Sequence, residues 1–143
     1  MMTRPDCSVS PEQLLAEAKK ARERSYAPYS QCRVGAALLA SNGKIYHGCN
    51  IENAAFGPTV CAERVAIFKA VSEGVRDFTA IAVVGGKSAE TSGRFPPCGV
   101  CRQVLREFCV PEKMTIILEQ KDGSPMQLLL ADLLPLSFGP DFL

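Results

Sequence analysis

The sequence predicts an α/β fold with a mixed sheet and helices on its faces. Three observations carry that expectation. Helical stripes alternate with short apolar runs from residue 61 onward, which implies strand–helix–strand units and partly parallel pairing. An Asn42-Gly43 pair joins two apolar runs, the signature of an antiparallel hairpin in the same sheet. The chain has 143 residues, which suits one domain, 1–143, with a real hydrophobic core.

The elements follow in order. Ser10-Pro11-Glu12-Gln13 opens a helix. Ser10 is the N-cap, Pro11 takes the first helical position, and Gln13 closes a capping box. Leu14, Leu15, Ala18 and Ala21 form its apolar stripe. The helix should end near Ser25, because Ala27 precedes Pro28 and is pushed toward extended geometry. Val34 to Ala40 and Ile45 to Ile51 are the hairpin strands. Cys61 to Glu73 is a helix that ends at Gly74, a natural C-terminal cap. It is apolar over much of its circumference, which predicts that it is well buried. Phe78 to Val84 is a strand closed by Gly85-Gly86, and residues 87–94 form a surface loop. Cys98 to Phe108 is a short helix and Met114 to Leu118 a strand. Asp122-Gly123 turns the chain, and Leu128 to Leu134 is a strand end or a short helix. The tail Ser137-Phe138-Gly139-Pro140 is too short for an element.

Composition excludes several classes. Sixteen Lys and Arg stand against fifteen Asp and Glu, a net charge of +1. No strong field then steers the chain toward nucleic acid or an acidic membrane, and neither partner is expected. The apolar share is 47% and the charged share 22%, which excludes wholesale disorder. No run of about 18 apolar residues predicts a membrane span. Met1 to Asp6 lack an apolar signal core, so a cytoplasmic location is expected. The seven cysteines are odd in number and too sparse for a disulfide scaffold. That usage points to metal binding or chemistry.

Two short motifs sit at helix starts: Cys61-Ala62-Glu63 and Pro97-Cys98-Gly99-Val100-Cys101. Cys98 and Cys101 share one face of a helical turn, a spacing that suits two thiolates on a tetrahedral Zn²⁺. Cys61 supplies a third. Three protein ligands leave one position open, the mark of a catalytic site. Glu63 lies close to the metal without binding it, where a carboxylate can move protons. Three thiolates and one Zn²⁺ leave a net negative charge. Two helix N-termini offset it, and Arg64 and Arg102 are expected to donate to sulfur. Two other readings of the cysteines stay open: a redox dithiol at Cys98 and Cys101, and a closed structural zinc site completed by His47 or Cys49. His47 is expected to project from a hairpin strand without a catalytic part. Cys7, Cys32, Cys49 and Cys109 are expected to be small apolar fillers or surface thiols.

A zinc ligand two residues before a Glu, followed by Pro-Cys-x-x-Cys, is the known signature of zinc deaminases. With it stand Tyr29-Ser30, Val34-Gly35-Ala36-Ala37-Leu38, Gly48-Cys49-Asn50-Ile51-Glu52-Asn53-Ala54 and Ser137-Phe138-Gly139-Pro140. Together they make nearly the whole chain resemble the small, homotetrameric cytidine deaminases that act on free nucleosides. The resemblance implies a three-layer α-β-α cytidine-deaminase-like fold with a mixed central sheet and one Zn²⁺ per chain. It implies hydrolysis of cytidine and 2′-deoxycytidine to uridine and 2′-deoxyuridine, with ammonia released. Glu63 is then the proton shuttle, and Asn50 and Glu52 hold the ribose 3′-hydroxyl. Ala62 contacts the pyrimidine through its backbone, and Ala54 lies in the sugar-binding segment. Tyr29, Phe56 and Phe138 approach the ligand, in part across subunits of a homotetramer with shared active sites. The chain departs from the family at Cys32, where many relatives carry a Phe that packs on the base. A blasticidin-like aminopyrimidine nucleoside and a polynucleotide are the alternative substrates. A polynucleotide would need a basic or aromatic groove.

Overall fold

A computed structural model describes residues 9–91 and 93–143. The expectations on Met1 to Asp6 and on Cys7 lie outside those residues. Helix α1 spans Pro11–Arg22. Its capping box forms as the sequence predicts: Gln13 N–H donates to Ser10 Oγ at 3.1 Å, and Ser10 N–H to Gln13 Oε1 at 2.8 Å. The α-helical pattern stops at Arg22, before Ser25, because the next residues tighten into bonds of i→i−3 type.

Strands β1 (Arg33–Ala40) and β2 (Ile45–Cys49) form the expected hairpin, with Leu38 opposite Tyr46. Gly43 takes φ +89° at the turn. Strand β2 stops at Cys49, short of Ile51. The Asn50 side chain replaces a ladder carbonyl there, its Oδ1 accepting from Val34 N–H at 2.8 Å. Ile51 is left in isolated bridges to Tyr26 and Val60.

Helix α2 (Ala62–Ser72) ends at Gly74, whose φ of +87° allows the cap. Val75 N–H reaches Ala70 O and Gly74 N–H reaches Val71 O. The expected burial holds for one face: Ala62, Ala66, Ile67 and Ala70 are buried, whereas Phe68 is 47% exposed. Only the stripe against the sheet is covered by this chain. Strand β3 (Phe78–Gly86), helix α3 (Gly99–Phe108) and strand β4 (Thr115–Glu119) make a parallel crossover, with Ile81 opposite Ile116. Strand β5 (Pro125–Leu129) and helix α4 (Leu130–Leu133) follow, so the ambiguous segment at 128–134 holds both a strand end and a short helix. The tail, expected to carry no element, forms a 3₁₀ turn at Pro140–Phe142. Arg106 holds it, donating to Ser137 Oγ at 2.9 Å and Asp141 Oδ1 at 2.5 Å.

The sheet order is β2-β1-β3-β4-β5. Side chains alternate between its faces. Leu14, Leu15 and Ala18 of α1 pack on Ala37, Ala82, Val84 and Ile117. Ala66, Ile67 and Leu105 of α2 and α3 pack on Ala36, Leu38, Ile81, Val83 and Ile116. This is the three-layer α-β-α arrangement with a mixed sheet. Among the described residues no helix is long and apolar enough to cross a membrane.

Candidate active site and metal centre

Gly48 brings α2 down onto the sheet. A Cβ there would collide with Ala62 O and with the Ala66 backbone, so only glycine permits this approach. Cys61 is the N-cap of α2, Cys98 is the N-cap of α3, and Cys101 lies in the first turn of α3. The two helices therefore converge through their N-termini, whose partial positive charge favours thiolates.

The three sulfurs lie within 4.8 Å of one another. Cys61 Sγ is 3.8 Å from Cys98 Sγ, which is 3.5 Å from Cys101 Sγ. Zn–S bonds of about 2.3 Å at tetrahedral angles put sulfurs about 3.8 Å apart, so the donor set fits zinc. Among the described residues no fourth His, Cys, Asp or Glu joins them. His47 and Cys49 do not close the site. Cys49 pairs with Gly35 in register, and a Cβ on Gly35 would meet α1. His47 shares that face and bonds Glu17 of α1 at 2.6 Å. Both residues thus lie across the sheet from α2 and α3. All three clustered cysteines are free thiols, and Cys61 beside the Cys98/Cys101 pair favours a metal site over a lone dithiol.

Glu63 is buried in the first turn of α2, 4% exposed. Burial pushes its carboxyl up to about 7, and the Cys61 charge adds to the rise. A bound dication would act in the opposite direction. The Cys61 thiol is held well below its ordinary value by hydrogen bonding with Cys101 and by Arg64. Arg64 Nη2 donates to Cys61 Sγ at 3.5 Å, as expected. Arg102 does not follow the same expectation. It donates to Pro97 O at 2.7 Å and Leu133 O at 2.8 Å. It lies one turn along α3 from Cys98, where backbone carbonyls rather than sulfur are in reach, so it clamps the ligand loop to α4.

Tyr29, Glu52 and Phe56 line one cavity of ≈ 380 Å³ with Ser30, Asn53 and Thr59. Thr59 at its rim precedes Cys61 by two residues. Glu52 accepts from Tyr29 N–H and Ser30 N–H through Oε1, and from the Ser30 hydroxyl through Oε2. Asn50 is braced at both ends, by Val34 N–H and by Cys32 O. Ala54 is exposed in the same segment and Ala62 is buried in the first turn of α2. Phe138 lies apart from this cavity, on the tail, stacked on Phe142 at 5.6 Å. Cys32 is half-buried against the sheet core, and Cys109 is a buried filler. The sequence reading assigns no contact to Ser30, because a lone serine carries no signal by spacing.

The description "cytidine and deoxycytidylate deaminase zinc-binding region" fits residues 8–117, a span that includes all three cysteines and Glu63. A cytidine deaminase of Sporosarcina psychrophila is 55% identical over 130 residues, 91% of this chain and 92% of that protein. One of Halalkalibacterium halodurans is 49% identical over 127 residues, 89% of this chain and 92% of that protein. The crystal structure of a cytidine deaminase from Burkholderia pseudomallei superposes with a TM-score of 0.82 at 46% identity, covering 91% of this chain and 100% of that one.

Proposed function

The chain belongs to the family of cytidine and deoxycytidylate deaminases that share this zinc-binding region, and from that membership we propose that it hydrolytically deaminates cytidine and 2′-deoxycytidine. The products are uridine or 2′-deoxyuridine and ammonia. The observation that carries this assignment is a buried carboxylate, Glu63, set beside a three-sulfur cluster that no fourth His, Cys, Asp or Glu among the described residues closes.

Cys61, Cys98 and Cys101 would hold zinc, one ion per chain, and it would supply the Lewis acidity that makes water a nucleophile near neutral pH. Glu63 takes a proton from that water as its oxygen bonds to C4 of the pyrimidine, and passes the proton to N3. The second proton of the same oxygen travels by Glu63 to the 4-amino group. The C4–N bond then breaks and ammonia leaves. Burial favours this double duty, because a carboxylate shielded from bulk water hands the proton it takes to the substrate rather than to solvent. Arg64 acts indirectly, by supporting the Cys61 thiolate.

Glu52 and Asn50 hold the sugar 3′-hydroxyl, Ala62 touches the ring through its backbone, and Ala54 shapes the sugar segment. Tyr29, Phe56 and Phe138 pack on the ligand, in part from neighbouring subunits of a homotetramer. Exposure supports that assembly: Phe56 is 88%, Phe138 58% and Tyr29 57% exposed in the single chain, and such rings favour being covered by a second copy. One domain, 1–143, carries the activity. Three clustered free thiols suit a reducing compartment, so we assign the protein to the cytoplasm.

Glu63→Gln tests the proton role. It should retain one zinc per chain while turnover, followed by the ultraviolet change from cytidine to uridine, falls about 10²–10⁴-fold. Undiminished turnover in that variant would remove Glu63 from the mechanism.

A further inference from the structure

The turn at residues 28–32 does more than line the cavity. Glu52 Oε1 takes two donors, Tyr29 N–H at 3.0 Å and Ser30 N–H at 3.1 Å. Its Oε2 takes one, the Ser30 hydroxyl at 2.5 Å. That hydroxyl also accepts from Cys32 N–H at 3.0 Å. An amide N–H cannot accept, so the single Ser30 proton is directed at Glu52. The Cys32 peptide then extends the chain of bonds. Its carbonyl accepts from Asn50 Nδ2 at 2.7 Å, and Asn50 Oδ1 is fixed by Val34 N–H at 2.8 Å.

The backbone is shaped to make these bonds. Gln31 lies in the left-handed region at φ +62°, a conformation uncommon for a residue with a side chain. Two bonds hold it there: Gln31 N–H to Ala27 O and Gln31 Nε2 to Pro28 O, each 3.1 Å. The turn thereby presents Ser30 Oγ and two successive N–H groups to one carboxylate.

A carboxylate has about four acceptor positions, so among the described residues Glu52 retains one, on Oε2. Asn50 retains one Nδ2 hydrogen. Under the deaminase assignment, this acceptor and this donor are the two groups that meet the sugar 3′-hydroxyl. We propose that Ser30 is a positioning residue that, through Glu52 and the Cys32 peptide, sets this pair and so determines how strongly the enzyme selects a nucleoside bearing a 3′-hydroxyl. The proposal rests on the deaminase assignment and deepens it. The low titration of Glu52 agrees: the Ser30 hydroxyl is the largest cause holding that carboxyl below its usual range.

The test compares Ser30→Ala and Ser30→Thr with the unsubstituted holoenzyme on cytidine and 3′-deoxycytidine. Ser30→Ala keeps the two N–H donors to Oε1, so zinc content and the unfolding midpoint serve as controls for an intact fold. Loss of one hydrogen bond to a charged group corresponds to about tenfold. Ser30→Ala should therefore raise KM for cytidine about tenfold with a smaller fall in kcat. The ratio of kcat/KM for cytidine over 3′-deoxycytidine should shrink by a similar factor. Ser30→Thr, which keeps the hydroxyl, should restore most of that ratio. A ratio unmoved by Ser30→Ala in an enzyme that turns over cytidine would overturn the role of Ser30 alone. Equal losses on both nucleosides would do the same, since they would mark a general structural defect. An unsubstituted, zinc-loaded chain that leaves cytidine intact would overturn the deaminase assignment and this proposal together.

Discussion

Arg64 follows Glu63 directly and turns its guanidinium back onto the Cys61 sulfur. Its Nε is buried and has no hydrogen-bond partner among the described residues, an arrangement that costs stability by itself. What offsets that cost is charge: three thiolates around a dication leave one negative charge, and Arg64 lies against it. Arg64→Ala should thus weaken zinc retention about 10–100-fold, read by competition with a chelator. The metal-free fold should change little, because an unsatisfied buried group is removed with the side chain. Zinc affinity equal to that of the parent would show that the sulfur contact contributes nothing. Arg102 is the instructive contrast. It follows the ligand Cys101 by one residue, where Arg64 follows Cys61 by three, yet its donors go to Pro97 and Leu133 carbonyls. Adjacency in sequence brought both arginines into consideration, but direction around the helix separates them, and direction depends on what packs alongside.

Among elements, the close approach of α2 and β2 sets the metal geometry. Gly48 gives α2 room to lie on the sheet, and that fixes where Cys61 and Glu63 project. Gly48→Ala must push α2 away from β2. It should lower stability by about 1–3 kcal/mol, measured by denaturant unfolding, and should lower zinc content and turnover with it. Full zinc occupancy and turnover at reduced stability would separate the packing from the site. Elements were legible from sequence wherever local chemistry decides them. The Ser10/Gln13 capping box, the Asn42-Gly43 turn and the Gly74 cap each form from neighbouring residues alone. Legibility failed where a distant partner decides. Strand β2 ends early because Asn50 spends its side chain on Val34. Strand β5 starts with Pro125 and lies at the sheet edge, where proline is tolerated but reads as a breaker. The tail becomes a 3₁₀ turn because Arg106, far back in the chain, grips Ser137 and Asp141.

For the whole molecule, the ligand trio was readable because cysteines three apart, at a helix start, have few other uses. The grouping of Tyr29, Glu52 and Phe56 around one cavity needed the fold, since the Tyr26–Ile51 bridge brings their segments together. The exposed aromatic rings are those that the proposed homotetramer would cover. Sedimentation should find four chains per particle. Phe138→Ala should raise KM for cytidine without emptying the zinc site, and a fully active monomer would refute shared sites. Near-neutral net charge accords with a free nucleoside, whereas a polynucleotide would need a basic track.

The most direct measurement pairs zinc analysis of the purified chain with ultraviolet-monitored turnover of cytidine, before and after exhaustive chelation. The expected result is one zinc per chain, turnover abolished when the metal is stripped, and recovery when zinc is returned. Cytidine hydrolysis that persists at full rate in metal-free protein, or a zinc-loaded chain with no turnover, would contradict a catalytic ion at Cys61, Cys98 and Cys101 served by Glu63.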